Sequence, residues 1–344
     1  MSASSPSISV IVPCRNERRH IGPFLEAVLA QELEGIAMEV LVADGMSDDG
    51  TREVIADYAR RHPLIRLIDN PERTTPLALN RAIEAARAEV VVRMDVHTVY
   101  APDYVRQCLA VLVESGADNV GGAWHAEGKT YVQEAIALGF QSPFSSGGAA
   151  SHSPDFEGEV DSVYLGCWRR SVFEEVGRFD PELVRNQDDE LNLRLVRSGR
   201  RVYQSPRIKS RYFPRASLSA LFRQYAQYGY WKVRVIQKHR LPASLRHLVP
   251  GGFVLVLLLL AALSAFSAPA RWLLLAVGGL YLLANAAIST LTCSAPGRLK
   301  YLPLMPWVFA AFHFGYGYGF LRGAIDFVVL RKGAASGFTI LTRG

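Results

Sequence analysis

Val90-Val-Val-Arg-Met-Asp-Val-His97 runs from a β-branched apolar stretch into a carboxylate and an imidazole two residues apart. Similar runs lie upstream. Ile8-Ser-Val-Ile-Val-Pro13, Glu39-Val-Leu-Val-Ala-Asp44 and Ile65-Arg-Leu-Ile-Asp69 are short, apolar, and closed by turn or acidic residues. Between the runs lie helical patterns over 20–31, 51–61 and 76–86, the second capped by Thr51 after the turn residues 47–50. Strands alternating with helices predict parallel βαβ units, an α/β fold whose sheet is flanked by helices. In such sheets ligands bind beyond the carboxyl ends of the strands, where Asp44 and Asp95 stand.

Composition sets the frame around this core. The 344 residues are 49% hydrophobic and 20% charged, which excludes a disordered or collagen-like chain. The net charge of +6 is unevenly spread: residues 1–190 hold 31 acids against 17 bases, and residues 191–325 hold no acid at all. That asymmetry predicts an acidic soluble domain joined to a basic and then an apolar, membrane-attached region. The four cysteines (Cys14, Cys108, Cys167, Cys293) lie far apart, which argues against a disulfide framework or a zinc site. The opening residues lack the basic-then-apolar pattern of a signal peptide, so the first half is expected to stay in the cytoplasm.

Three apolar segments follow, over 249–268, 272–293 and 302–321, the last broken by Pro303, Pro306 and Gly315-x-Gly317-x-Gly319. About 20 apolar residues suffice to cross a hydrocarbon core as a helix. The expected division is a soluble domain over 1–215, basic amphipathic helices at the headgroup level over 216–247, a membrane region over 248–330 and a tail over 331–344. Fourteen Lys and Arg in residues 191–247 place that flank on the cytoplasmic side, in a multi-pass protein of the inner (plasma) membrane. Arg331, Lys332 and Arg343 favour the same side for the tail, which leaves the third segment open between spanning and re-entrant. With apolar spans adjoining the basic run, nucleic acid is not the expected partner.

Two clusters carry candidate chemistry. Asp95-x-His97 could hold a divalent cation, or be a turn aspartate beside a surface histidine; spacing alone does not choose. Gln187-Asp188-Asp189-Glu190 precedes Leu191-x-Leu193-x-Leu195, so its acids either complement a helix dipole or include a general base. The Gly/Ser/Pro-rich stretch 142–159 reads as a loop, either a connector or a lid.

Taken in order, VIVPCRNE (Val10–Glu17), DGMSDDGT (Asp44–Thr51), the MDVH ending at His97, GRFDPEL (Gly177–Leu183), QDDELNLRL (Gln187–Leu195) and QYAQYGYW (Gln224–Trp231) resemble the inverting family 2 glycosyltransferases. The resemblance covers roughly residues 7–235. It implies a GT-A nucleotide-sugar-binding domain with a mixed, mostly parallel sheet, followed by a helical transmembrane region. Within the family the chain is most similar to membrane-bound exopolysaccharide glucosyltransferases of the succinoglycan type.

The resemblance also implies roles. Pro13, Arg15, Glu17, Asp44 and Asp95 would bind the nucleotide, and Asp95 with His97 would hold Mn²⁺ or Mg²⁺. Asp188 would be the catalytic base. Gly166, Trp168, Asp189, Gln224, Tyr228 and Trp231 would meet the acceptor. His97 stands where the family usually has an acid, Gln187 where it has Glu, and Gln227-Tyr228 where processive members have Arg-Trp. The activity implied is transfer of one sugar, glucose from UDP-glucose, to a polyprenyl-diphosphate-linked oligosaccharide. A polyprenyl-phosphate sugar synthase and a non-catalytic sugar-nucleotide-binding scaffold are the alternatives.

Overall fold

The computed structural model describes residues 7–242 and 244–339. Arg343, invoked above for the orientation of the tail, lies outside the described residues. In chain order the strands and helices begin β1 (Ile8–Cys14), α1 (Arg18–Leu29), β2 (Met38–Asp44), α2 (Thr51–Arg61), β3 (Ile65–Asp69), α3 (Thr75–Ala85), β4 (Val90–Arg93), β5 (Thr98–Tyr100), α4 (Tyr104–Ser115) and β6 (Asn119–Gly122). Then come α5 (Tyr131–Gln141), α6 (Pro143–Ser146), β7 (Gly158–Glu159), β8 (Tyr164–Arg169), α7 (Ser171–Glu175), α8 (Gln187–Arg197), β9 (Val202–Gln204) and β10 (Ser210–Tyr212). The chain closes with α9 (Leu218–His239), α10 (Val249–Leu263), α11 (Ala268–Cys293) and α12 (Met305–Gly323). These elements form two compact units, one of residues 1–125 and 150–212, the other of 126–149 and 213–344.

The first unit is the α/β body. Its eight-stranded sheet has the order β3-β2-β1-β4-β8-β6-β9-β7. The first four strands in that order are parallel, and β8 runs antiparallel between β4 and β6. Both faces of β1, β2 and β4 are covered, which is why those runs are apolar without a polar phase. Alternate residues feed two cores. Val10, Val12, Val40 and Val92 pack under α1, α2 and α4 with Ile21, Leu25, Ile55 and Leu112. Ile11, Leu41 and Val91 pack on the opposite face with Leu79 and Ile83 of α3, Phe173, Phe179, and Leu191 and Leu195 of α8. A side chain that alternates at period 2 meets both layers, so a slip of one residue would exchange them.

The second unit is helical. Along α12, Gly315, Gly319 and Gly323 recur every fourth residue and face the backbone of Phe222, Ala226 and Tyr230, which recur every fourth residue along α9. A Cβ at Gly315 would stand 2.8 Å from the Phe222 carbonyl oxygen and one at Gly323 2.7 Å from that of Tyr230. Small residues at this period let two helix backbones meet. The broken look of the third apolar segment is therefore a helix–helix seam. The apolar side of α9, which the sequence assigns to a membrane surface, is covered within this unit: Leu221, Trp231 and Val235 are each at most 2% exposed, Trp231 against Phe327 and Phe338. By contrast, helices over Leu245–Leu263 and Ala268–Cys293 are long and apolar enough to cross a bilayer: each holds an 18-residue stretch, of mean hydropathy 2.0 and 1.8, of which only 6% and 11% is buried.

Candidate active site

Three loops at the carboxyl ends of β1, β2 and β4 build the candidate site. Register brings them level: Cys14 pairs Asp44, Asp44 pairs Asp69, and Ile11 pairs Arg93. The loops after β1 and β2 are laced together. Ser47 Oγ accepts from the Asn16 amide at 2.8 Å and Thr51 Oγ1 from the Glu17 amide at 2.7 Å. Asn16 takes a positive φ of 54° to make this turn, a conformation Asn tolerates. Pro13 is half-buried at the end of β1, and the exposed Arg15 lies against Gly45.

Asp44 has no exposed side-chain surface. Its Oδ1 accepts from Ser47 Oγ at 2.5 Å, and its Oδ2 accepts from the Ser47 amide and from Arg52 Nη1, both at 2.9 Å. Arg52 reaches on to Asp69 at 2.7 Å. Asp44 thus fixes the 44–52 loop from beneath.

β4 ends at Arg93, so Asp95 and His97 lie on the turn that leads into β5. Arg93 Nε and Nη2 grip the two oxygens of Asp95 at 2.9 and 3.0 Å. Burial pulls the pKa of this guanidinium down, but the Asp95 carboxylate and, more weakly, that of Asp188 outweigh it and raise the net value. The cation is thus locked in place, and its Nη1 has no hydrogen-bond partner among the described residues. His97 turns the other way. Its Nε2 lies 2.6 Å from Glu17 Oε1, while Glu17 Oε2 lies 3.1 Å from His20 Nδ1. The structure therefore groups His97 with Glu17 and His20, and Asp95 with Arg93. Sequence reading missed Arg93 and His20. The internal arginine in an otherwise apolar strand was the available signal for the first; His20, on the exposed start of α1, had none.

Asp188 occupies the first turn of α8, half-buried, beside the half-buried Asp189. Its Oδ1 accepts from the Asp189 amide at 3.0 Å, and its Oδ2 has no partner among the described residues. One turn further, Asn192 accepts from Asn119 Nδ2 at 2.7 Å and donates to Ser162 Oγ at 3.0 Å, and Asn119 Oδ1 accepts from the Cys167 amide. This buried amide network sets the rotation of α8 about its axis, and with it the direction of Asp188.

β8 carries local backbone strain. Leu165 and Gly166 have φ of 66° and 117°, beside a register shift in the β6–β8 ladder. A Cβ at Gly166 would collide with the Trp168 ring and lie 2.9 Å from Asn119 Oδ1. Trp168 itself is 1% exposed and packs with Phe173 and Phe179, so it supports β8 from within the core. The accessible aromatics nearby are ones that sequence reading passed over. Trp124 and Tyr164 stack at 5.3 Å, and the Tyr164 hydroxyl bonds Thr98 Oγ1, next to His97, at 2.8 Å.

The remaining expected acceptor residues belong to the helical unit. Gln224 is buried, receives Arg215 Nε at 3.3 Å and donates to the Tyr228 hydroxyl at 2.9 Å. Trp231 is buried and donates to the Phe338 carbonyl at 2.9 Å.

Comparison with known proteins identifies the family and the fold. The model for "Glycosyl transferase family 2" matches residues 9–177. The chain is 30% identical over 327 residues to the succinoglycan biosynthesis protein ExoA of Rhizobium meliloti, covering 94% of this chain and 97% of that one. It is 25% identical, over 92% of this chain and 97% of the other, to a dolichyl N-acetyl-α-D-glucosaminyl phosphate 3-β-D-2,3-diacetamido-2,3-dideoxy-β-D-glucuronosyltransferase of Methanococcus voltae. The fold is shared with the mannosyltransferase PcManGT of Pyrobaculum calidifontis, solved with GDP-Man and Mn²⁺. The TM-score is 0.58 at 20% identity, over 90% of this chain and 86% of that one.

Proposed function

Because this chain belongs to glycosyltransferase family 2, with the GT-A fold and a role in glycan biosynthesis, we propose that it is a membrane-anchored, inverting, metal-dependent hexosyltransferase. It moves a single sugar, glucose from UDP-glucose, onto a polyprenyl-diphosphate-linked oligosaccharide at the cytoplasmic face of the membrane. The observation that supports this reading is that Asp188 lies close enough to the end of β4 for its charge to act on Arg93. A half-buried carboxylate with one free oxygen stands within electrostatic reach of Arg93, which holds Asp95 at the carboxyl end of β4.

Each group has a task. Asp188 Oδ2 takes the proton of the acceptor hydroxyl as that oxygen attacks the anomeric carbon. The nucleoside diphosphate leaves from the opposite face in the same displacement, so the centre inverts and no covalent sugar–enzyme species forms. The loops after β1 and β2, with Pro13, Arg15 and Asp44, frame the nucleotide. A divalent ion, when bound, neutralises charge on the leaving diphosphate. The donor set fits such an ion: Glu17, His20 and His97 present a carboxylate oxygen and imidazole nitrogens that lie within 4.8 Å of one another. The stacked Trp124–Tyr164 pair offers an aromatic face of the kind on which sugar rings rest. Helices over Leu245–Leu263 and Ala268–Cys293 support membrane anchoring, and so a lipid-linked acceptor.

The test is transfer by detergent-purified protein from a panel of UDP- and GDP-sugars to native lipid extract, with Mn²⁺, Mg²⁺ or EDTA. Lipid-dependent nucleotide release that vanishes in Asp188→Asn supports the reading and identifies the donor. A product with one sugar on a lipid monophosphate would instead make the chain a polyprenyl-phosphate sugar synthase. No release with any donor would leave it a binding scaffold.

A further inference from the structure

We infer that the divalent cation of this protein is held by Glu17, His20 and His97, a two-imidazole, one-carboxylate set, and that Asp95 is a positioning residue that does not ligate it. The inference rests on the transferase reading only for what fills the remaining coordination positions.

The argument begins with charge. Asp95 is the carboxylate the sequence motif offers to a cation, but both its oxygens are gripped by Arg93, which is 5% exposed. A divalent ion on Asp95 would sit beside a buried guanidinium charge, and at short range in a partly desolvated site that repulsion is not screened. Glu17 has the opposite surroundings. Among the described residues its carboxylate touches no Lys or Arg, and the side chains ion-paired with it are the two imidazoles. Among the described residues, these three form the group whose ligand atoms converge, all within 4.8 Å.

The scaffold fits as well. The Glu17 amide is tied to Thr51 Oγ1 at 2.7 Å, and the carboxylate stands at the start of α1. His97 is held on the turn before β5, where the Thr98 amide bonds the Asp95 carbonyl at 3.1 Å. The two rings meet edge to face, with centroids 4.7 Å apart. Glu17 Oε1 and Oε2 each hydrogen-bond one ring nitrogen, so an ion placed among them takes over contacts already made. It needs the tautomer of each ring that leaves Nε2 of His97 and Nδ1 of His20 unprotonated. Three protein ligands leave about three octahedral positions for diphosphate oxygens and water. Nitrogen donors favour Mn²⁺, Co²⁺ or Zn²⁺ over Mg²⁺, which prefers oxygen. The histidine at position 97 is thus one part of a site that also recruits α1.

Full-length protein in detergent micelles is titrated with Mn²⁺ alone and with Mn²⁺ plus UDP, and free aquo-Mn²⁺ is read by electron paramagnetic resonance. His20→Ala and His97→Ala each weaken Mn²⁺ binding by at least about tenfold, the low end of what even outer-shell partners of a metal contribute. With Mn²⁺ alone, Asp95→Asn weakens binding less than either histidine variant, since it uncovers the Arg93 charge but removes no ligand, and Mg²⁺ displaces Mn²⁺ only in large excess. His20 is 55% exposed at its side chain, so its removal does not threaten the fold, which circular dichroism checks. Wild-type affinity in His20→Ala, or a loss in Asp95→Asn as large as that in His97→Ala, overturns the proposal while leaving the transferase reading intact. Mn²⁺ binding with this ligand dependence but no transfer from any donor would sink the transferase reading and leave the site standing.

Discussion

Asn192→Leu separates the positioning of the proposed base, Asp188, from its chemistry. Asn192 is 2% exposed and Asn119 fully buried. Leucine has a similar volume, so packing is kept while two hydrogen bonds disappear, to Asn119 Nδ2 and to Ser162 Oγ. Ser162 is only half-buried and can turn to water; the Asn119 amide cannot. One buried donor left unsatisfied costs about 1–3 kcal/mol, and the lost bond to Ser162 adds roughly 0.5–1.5. For a body of this size each kcal/mol lowers the melting temperature by about 2–4 °C. The expected drop is therefore several degrees. Because Asp188 lies one turn away on the same helix, kcat falls while the KM for the donor holds. Asn119→Leu and the double variant complete a cycle. The double variant removes both halves of the pair, so its loss of stability is smaller than the sum of the single losses. Additive single losses, or a melting temperature in Asn192→Leu within a degree of wild type, would refute the network as the element that orients α8.

Three further outcomes follow from the same structure. Asp188→Asn abolishes transfer at little cost in melting temperature, as measured by product formation alongside a thermal melt, because its Oδ2 has no hydrogen-bond partner among the described residues and only its attraction for Arg93 is lost. Arg52→Met strands the unexposed Asp44 carboxylate on Ser47 alone; since Arg52 is 26% exposed, the loss sits at the low end of the about 3–5 kcal/mol typical of a broken buried pair, read by chemical denaturation and by weakened nucleotide binding. Gly319→Ala and Gly278→Ala differ in sign in a detergent melt. The first forces a methyl against the Ala226 carbonyl and costs about 1–3 kcal/mol, whereas the second meets nothing within 4 Å and gains up to about 1 kcal/mol of helix propensity.

The first half of the sheet was legible because its physics is local. β1, β2 and β4 are covered on both faces, so each reads as an uninterrupted apolar run between helices. The second half was not. β6, β7 and β9 are two to four residues long, too short to show a period, and nothing local announces that β8 inserts antiparallel between β4 and β6. The candidate site divides in the same way. Asp188 stood out as an acid opening a patterned helix. The partners of Asp95 and His97 did not, since a residue two positions away (Arg93) and others nearly eighty away (Glu17, His20) are equal candidates until the chain folds. The triplet of alternate glycines in the third apolar segment read as a flaw because it was seen at period 2. Its meaning appears at period 4, where every other member belongs to a different contact: Gly315 and Gly319 to α9, and Gly317 to Val254 of α10.

The excursion between β6 and β8 limits how this protein can be cut. Residues 126–149 leave the α/β body, join the helical unit and return. There Phe140 rests on Phe312 and Phe144 on Phe309, while Ala135 and Ile136 are shut from solvent. A fragment that ends between the excursion and α9 keeps these residues but discards their partners, and so carries an orphaned apolar segment within an otherwise complete α/β body. A fragment that ends before the excursion loses β8, the strand that joins β4 to the far side of the sheet. The α/β body is therefore not a cassette that can be cut free by a single truncation, and the chain must be expressed and purified as one piece.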